Sequence, residues 1–371
     1  MKLLIDCTNL KMGGGIQVAI TFISDLIKTQ KNYQLSILMC KEFAETSKPF
    51  DDHESIDFIE FTKNSKFNLS RSKDLRAIEK KINPDIIFTV FGPSYHQSSF
   101  PKIVGYAIPH YIYEDSPFFD SLSFLKSLRL FFLKRIKVKK FVQTSNALIF
   151  ETEDSRKRFV QMYGYQKPTY VVSNTLNSIF KEKEKWVDYE NLDQFSKDFK
   201  YVFCLSSNYP HKNLKVIPKI LDELQSRGVS NIKFVVSLSK EDLELDAKYN
   251  DRVVYLGKIQ LTNLPSIYKK MHIVFMPTLL EVFSATYIEA MYMGIPVLAS
   301  DMSFARDICR DAAQYFPPVD FVAATNKIVE ISEDKNLQQV MVDKGKEVVQ
   351  NYGSSLDRTN SYIEILKKHK V

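Results

Sequence analysis

Cysteine is scarce in this chain of 371 residues: there are four, Cys7, Cys40, Cys204 and Cys309. They lie far apart and no two form a C-x-x-C pair, so neither a zinc site nor a dithiol redox motif is supported. Three of them sit in strand-like apolar runs, where a thiol behaves as a small hydrophobe. Long hydrophobic runs are missing as well. The opening "MKLLIDCTNL" is cut by Asp6 and is too short for a signal peptide. No run approaches the roughly 20 apolar residues of a membrane-spanning helix. Both absences point to a cytoplasmic protein. A strong charge bias is also lacking: 51 Lys and Arg against 44 Asp and Glu leave a formal charge of +7. That surplus suits an anionic partner, but by itself not a nucleic acid.

What is present is a rhythm. Short β-branched runs ("KLLIDCT", "QLSILMC", "PDIIFTVF", "KIVGYAI", "NALIFET") alternate with longer amphipathic ones, and the pattern restarts at "KYVFCLSS". Strand alternating with helix predicts parallel sheets built from βαβ units, and two series predict two doubly wound α/β domains. Between them lies "KEKEKWVDYENLDQFSKDFK", residues 181–200, with eleven charged residues in twenty. The first domain is therefore placed at 1–180, a linker region at 181–200 and the second domain at 201–353. A final helix over 354–371 can pack back on the first domain, with Tyr362, Ile363, Ile365 and Leu366 as its apolar face.

The stretch "PTLLEVFSATYIEAMYMGIPVLAS", Pro277 to Ser300, holds two glutamates in apolar surroundings, Glu281 and Glu289. "HIVFMP" before it reads as a buried strand. "SATYIEAMYM" reads as a helix with Ser284 at its N-cap and Gly294 just past its end. Glu281 then sits in the loop before a helix, at the carboxyl end of a parallel strand, where open α/β sheets bind ligands. The helix N-terminus favours an anion such as phosphate. Glu281 is placed to take hydrogen bonds from a polyhydroxy ligand, and Glu289 could grip a ribose diol. The same spacing equally suits a helix cap and a satisfied core carboxylate.

This stretch resembles the signature of GT-B glycosyltransferases of family 4, retaining enzymes that use nucleotide sugars. The match holds at Pro277, Glu281, Phe283, Glu289, Ala290, Gly294, Pro296 and Val297. It fails at Val282 and Ser284, where the family usually has glycines, so donor choice is expected to be decided there. "SSNYPHKNL", Ser206 to Leu214, resembles the family's first donor-domain loop. The resemblance gives Lys212 to the donor diphosphate, with Ser207 and Asn208 beside it; His211 stands where an arginine is usual. "YLGKIQLTNLPSIYKKMHIVFMPT" resembles the segment whose loop, here around Lys258 and Leu261, cradles the base. The resemblance implies the GT-B fold, two Rossmann-like domains facing across a cleft.

In the first domain, Gly13, Gly14 and Gly15 stand between the first strand and helix, but Val18 breaks the G-x-G-x-x-G dinucleotide fingerprint. By the resemblance, Gly14 and Gly15 face the donor phosphates, and Gly13 and Gln17 the acceptor side. His110, in "VGYAIPHYIYED", follows a strand-like run; the resemblance makes it a contact of the transferred sugar. Thr152 and Glu153, in "ETEDSRKRF", are expected on the acceptor side. Residues 122–141, "LSFLKSLRLFFLKRIKVKKF", carry seven Lys or Arg and no acid. They suit a core-packed helix with a solvated face, or a basic amphipathic helix on an anionic membrane surface.

No D-x-D triplet occurs, which argues against the metal-dependent GT-A class. The expected activity is metal-independent retaining transfer from a UDP-, GDP- or dTDP-linked sugar to a glycan or lipid-linked acceptor, serving bacterial surface polysaccharide synthesis. Catalysis is assigned to His110, Lys212 and Glu281, with no cofactor beyond the co-substrate and no metal. The expected place is the cytoplasm, with a peripheral position on the inner face of the membrane left open. A catalytically silent glycan- or membrane-binding subunit and a GT-B nucleotide-sugar 2-epimerase remain as alternatives.

Overall fold

Runs such as "LLI" and "VFC" are apolar without alternation, as strands covered by helices on both faces require. The computed structural model describes residues 1–11, 13–29, 32–47, 56–61 and 69–371. The first sheet holds β1 (Lys2–Cys7), β2 (Gln34–Met39), β3 (Ile56–Glu60), β4 (Ile86–Thr89), β5 (Lys102–Tyr106), β6 (Ala147–Phe150) and β7 (Thr169–Val171). Its helices are α1 (Gly14–Thr29), α2 (Lys41–Ser47), α3 (Leu69–Ile82), α4 (Phe124–Thr144) and α5 (Glu153–Tyr163). The second sheet holds β8 (Lys200–Cys204), β9 (Ile232–Val236), β10 (Val253–Tyr255), β11 (Ile273–Met276), β12 (Val297–Ser300) and β13 (Ala313–Phe316). With it go α6 (Val216–Ser226), α7 (Leu264–Tyr268), α8 (Ala285–Tyr292), α9 (Ser303–Cys309), α10 (Phe321–Glu333) and α11 (Lys335–Gln350), and α12 (Ser355–His369) ends the chain.

The strand orders are β3-β2-β1-β4-β5-β6-β7 and β10-β9-β8-β11-β12-β13, and every pairing is parallel. Both sheets thus share the doubly wound order in which direction of travel reverses beside the first strand. The reversal lies between β1 and β4 in one and between β8 and β11 in the other. The expected class, α/β with two Rossmann-like doubly wound units, is the one the chain adopts.

The chain divides into Met1–Ile112 with Ser123–Asn174 and Gly353–Val371, and Tyr113–Leu122 with Thr175–Tyr352. In the first unit, Phe22 of α1 meets Phe88 of β4 edge-on at 5.4 Å. Tyr362 of α12 packs on both, at 5.5 and 5.1 Å. Tyr362, Ile363, Ile365 and Leu366 are all buried. Ser354 and Asp357 close a capping box at the start of α12.

Two features depart from the boundaries read in the sequence. Residues 181–200 are not a free linker but lie with the second unit. Val187 N–H donates to the Thr262 carbonyl and Tyr189 N–H to Ser266 Oγ, both at 3.0 Å. The Lys269 ammonium also sits 4.6 Å from the Trp186 ring centre. Charge-rich composition concealed these backbone anchors. The other feature is the strap Tyr113–Leu122, flanked in sequence by the first unit but belonging to the second. Among the described residues, no helix is long and apolar enough to cross a membrane.

Truncating Tyr362 would open a cavity where α1, β4 and α12 meet. Tyr362→Ala is expected to destabilise the first unit by about 3–5 kcal/mol. Urea unfolding followed by circular dichroism reads this as a lower midpoint; an unchanged midpoint contradicts the packing described.

Candidate functional site

The site is built at the reversal point of the second sheet. Past β8 the chain makes a one-turn helix at Pro210–Lys212, closed by Asn213 at φ 55°. Asn tolerates this left-handed conformation because its side chain can bond locally, and its Nδ2 donates to the Pro318 carbonyl at 3.3 Å. Past β11, the neighbouring strand, the chain runs through Thr278–Ser284 into α8. The two loops are joined by backbone: Leu279 N–H donates to the His211 carbonyl at 2.7 Å, and Thr278 Oγ1 donates to the same oxygen at 3.3 Å. Beyond this joint, the Lys212 ammonium is ion-paired with the Glu281 carboxylate. Their side chains are 17% and 19% exposed, so water reaches both but screens them little.

Glu289 is the fifth residue of α8 and is buried. Tyr268, from α7, donates its hydroxyl to Glu289 Oε2 at 3.2 Å. Burial pushes the Glu289 carboxyl up to about 7, although the Tyr268 bond works the other way. Gly294 ends the helix at φ 72°. Its N–H bonds the Met291 carbonyl and that of Ile295 the Ala290 carbonyl, a Schellman closure. Ser284 occupies the N-cap with extended backbone, but its side chain makes no capping bond. Val282 is 3% and Phe283 9% exposed, and Phe283 packs on Tyr352 at 5.8 Å. The Val282 side chain, where donor choice is expected to be decided together with Ser284, lies in the interior of the unit.

The other residues expected to hold a donor are more dispersed. Ser207 and Asn208 are exposed in the loop after β8, and Asn208 Nδ2 donates to the Asp242 carbonyl. Lys258 is exposed after β10, two strands from β8, and Leu261 opens a short turn with 39% exposure. Of the expected donor residues, side-chain contact is seen between Lys212 and Glu281.

In the first unit, only Gly13 remains in the loop, at φ 79°, a value that disfavours side-chain-bearing residues. Gly14 and Gly15 are already in the first turn of α1. A Cβ on Gly15 would stand 3.2 Å from Phe91 and 3.3 Å from Leu10, so packing accounts for this glycine. Gln17 is exposed one turn further. His110 lies in the turn Pro109–Tyr111 after β5. Burial first, then the Lys137 charge, lower its pKa, so the imidazole is neutral at pH 7. Thr152 caps α5, accepting from Ser155 N–H at 3.2 Å, and Glu153 holds Arg156 through Nε at 2.9 Å. Both serve local helix structure.

Sequence reasoning missed Tyr268, whose only signal was an aromatic in a short amphipathic segment. It also missed a buried cluster. Lys102, 1% exposed, reaches Ser94 Oγ at 3.0 Å, His96 Nε2 at 3.1 Å and Glu79 Oε1 at 3.3 Å. Burial lowers the Lys102 pKa despite Glu79. The cluster sits at the amino end of β5, away from the carboxyl ends that carry the loops, and ties α3 to the sheet.

Residues 190–348 match the family model described as Glycosyl transferases group 1. The O-antigen chain mannosyltransferase RfbU of Salmonella typhimurium is 24% identical over 217 residues, covering 56% of this chain and 56% of that protein. Sucrose-phosphate synthase from Thermosynechococcus elongatus superposes with a TM-score of 0.76 at 13% identity, over 99% of this chain and 98% of that one. Anabaena HepE in complex with UDP-glucose gives 0.72 at 17% identity, over 99% and 100%. At such identities the structural likeness speaks for the fold alone.

Glu289 carries a pH signature. Its folded pKa of about 7 lies above the ordinary 4.5, so the folded chain holds an extra proton between those values. Stability contributed by this proton is lost as pH rises through that window. Glu289→Gln removes the titration, so its melting temperature relative to wild type should be higher at pH 8 than at pH 5. A difference independent of pH would count against the buried, raised carboxyl.

Proposed function

We propose that the chain is a retaining, metal-independent GT-B glycosyltransferase of family 4, moving a hexose from a nucleotide diphosphate sugar to a glycan or lipid-linked acceptor in polysaccharide synthesis. One observation carries the reading: a lysine and a glutamate meet at the reversal point of a doubly wound sheet, inside the segment that matches Glycosyl transferases group 1. The mannosyltransferase likeness and the UDP-glucose complex of HepE support a nucleotide-sugar partner and a glycan product.

The geometry suits the chemistry. As the bond from the anomeric carbon to the diphosphate breaks, negative charge grows on the leaving phosphate. The Lys212 ammonium can take a phosphate oxygen in place of Glu281, aided by the amino end of α8. The released Glu281 carboxylate then accepts from sugar hydroxyls. Glu289, beside Tyr268, is assigned to the ribose diol. The acceptor oxygen bonds the anomeric carbon on the face the diphosphate leaves, and its proton passes to the leaving phosphate. In the first unit, His110 is neutral and so able to accept a hydrogen bond as well as donate one.

An anionic membrane surface is the second partner in this reading. Phe124 is 79%, Leu125 76% and Phe132 56% exposed on α4, and only Val138, Phe141 and Thr144 of that helix are buried. Leu128 and Ile136 are exposed too, which is unlike a core-packed helix. Seven Lys and Arg are interleaved in sequence with these apolar groups within residues 122–141. Apolar insertion with basic flanks is the physical requirement for resting on anionic lipid.

Two experiments test the reading. Thermal shift with UDP, GDP and dTDP should show stabilisation by one of them, followed by transfer or slow hydrolysis of its sugar. Lys212→Ala and Glu281→Ala should each lower transfer by about 10²–10³-fold with the fold intact. Full activity in either, or no stabilisation by any nucleotide, rejects the assignment. Separately, the full chain should sediment with phosphatidylglycerol-containing vesicles at low salt and not with phosphatidylcholine alone. Phe124→Ser with Leu125→Ser should abolish that binding; retention would place the contact elsewhere.

A further inference from the structure

The strap Tyr113–Leu122 is not accounted for by the activity proposed above. It belongs to the second unit, although the chain enters it from Ile112 and leaves it at Ser123 of the first. Its anchors fall on the two loops that hold the ion pair. Ser116, 3% exposed, donates its hydroxyl to the Leu279 carbonyl at 2.7 Å. Leu279 stands two residues before Glu281, and its N–H holds the His211 carbonyl. Phe118, also buried, meets the His211 ring edge-on at 6.2 Å, and His211 immediately precedes Lys212. The His211 ring also stacks on Tyr209 at 5.7 Å and 7°. Tyr113 fixes the start of the strap against Phe304 of α9 at 5.3 Å.

We propose that Ser116 and Phe118 are positioning residues for the Lys212–Glu281 pair, Ser116 acting on the glutamate loop and Phe118 on the lysine loop. The inference rests on the glycosyl-transfer reading of that pair. The Leu279 backbone is the joint. It donates to one loop and accepts from the strap, so both its polar groups are fixed within the interior. Without the Ser116 hydroxyl the Leu279 carbonyl is left buried and unpaired, and the loop must shift to find another donor. A shift at Glu281 alters orientation of the sugar rather than grip on the nucleotide. Without the Phe118 ring, His211 and the short turn Pro210–Lys212 lose a wall, which loosens the ammonium that faces the diphosphate.

The two roles separate in one experiment on the full chain. Affinity for free UDP or GDP, whichever binds the wild type, is measured by calorimetry, and turnover as nucleotide released from the matching sugar donor. Ser116→Ala should lower turnover by about tenfold to a hundredfold, as small misplacements of reacting groups do, while nucleotide affinity stays at the wild-type value. Ser116→Thr keeps the donor and should recover turnover. Phe118→Leu should weaken nucleotide affinity first. It breaks no hydrogen bond, so it carries the test if Ser116→Ala does not fold. Wild-type behaviour in Ser116→Ala and Phe118→Leu, or equal losses of turnover, affinity and melting temperature in both, overturns the positioning role while leaving the transfer reading in place. A wild type that binds no nucleotide overturns both.

Discussion

The second unit is organised around one constraint: an ammonium and a carboxylate from different loops must meet at the carboxyl edge of a parallel sheet. Neither side chain could hold that position alone, since a long flexible lysine loses rotamer freedom on being fixed. The solution is backbone. β8 and β11 are hydrogen-bonded neighbours, their loops leave on the same edge, and the His211 carbonyl takes two bonds from Thr278 and Leu279. Only then is the Lys212–Glu281 contact short of freedom enough to be a stable feature. A half-buried pair of this kind adds modestly to stability. On the glycosyl-transfer proposal, its value lies in holding opposite charges in register where a charged, hydroxyl-rich substrate can exchange for either partner.

Glu289 shows the opposite use of a carboxylate. It lies inside α8, away from any cation the structure gives it, with a tyrosine hydroxyl as its hydrogen-bond donor. Burial of this kind raises the cost of ionisation, and the raised pKa is the expression of that cost. Two glutamates eight positions apart therefore differ because one has a lysine opposite it and the other has an apolar helix interface. The sequence separated their posts, but it did not name the lysine opposite Glu281 or the tyrosine that meets Glu289.

Legibility followed the range of the interactions involved. The two doubly wound sheets were readable because unbroken apolar runs and their alternation with amphipathic segments are local signals. Gly294 was readable because a helix end is a local event. The boundary at 181–200 was misread because charge density is a poor guide where anchoring comes from backbone N–H groups such as those of Val187 and Tyr189. Glu289 and Tyr268 are 21 residues apart, and Ser116 and Leu279 are 163 apart; no periodicity links such pairs.

The same long-range pairs explain why the chain is interleaved. A cut near residue 180 would separate α12 from Phe22 and Phe88, and the strap from Leu279. The first unit would then expose the apolar face of α12's seat. The second would leave the Leu279 carbonyl buried without its donor, a group that interiors rarely leave unpaired. Tyr362 and Ser116 thus do comparable work by different means, one through apolar area and one through a single hydrogen bond. Each is supplied from a distant part of the sequence, so the order of elements along the chain is not the order of dependence in the fold. The ion pair at the reversal point stands last in that order: it requires the sheet, the joined loops and the strap.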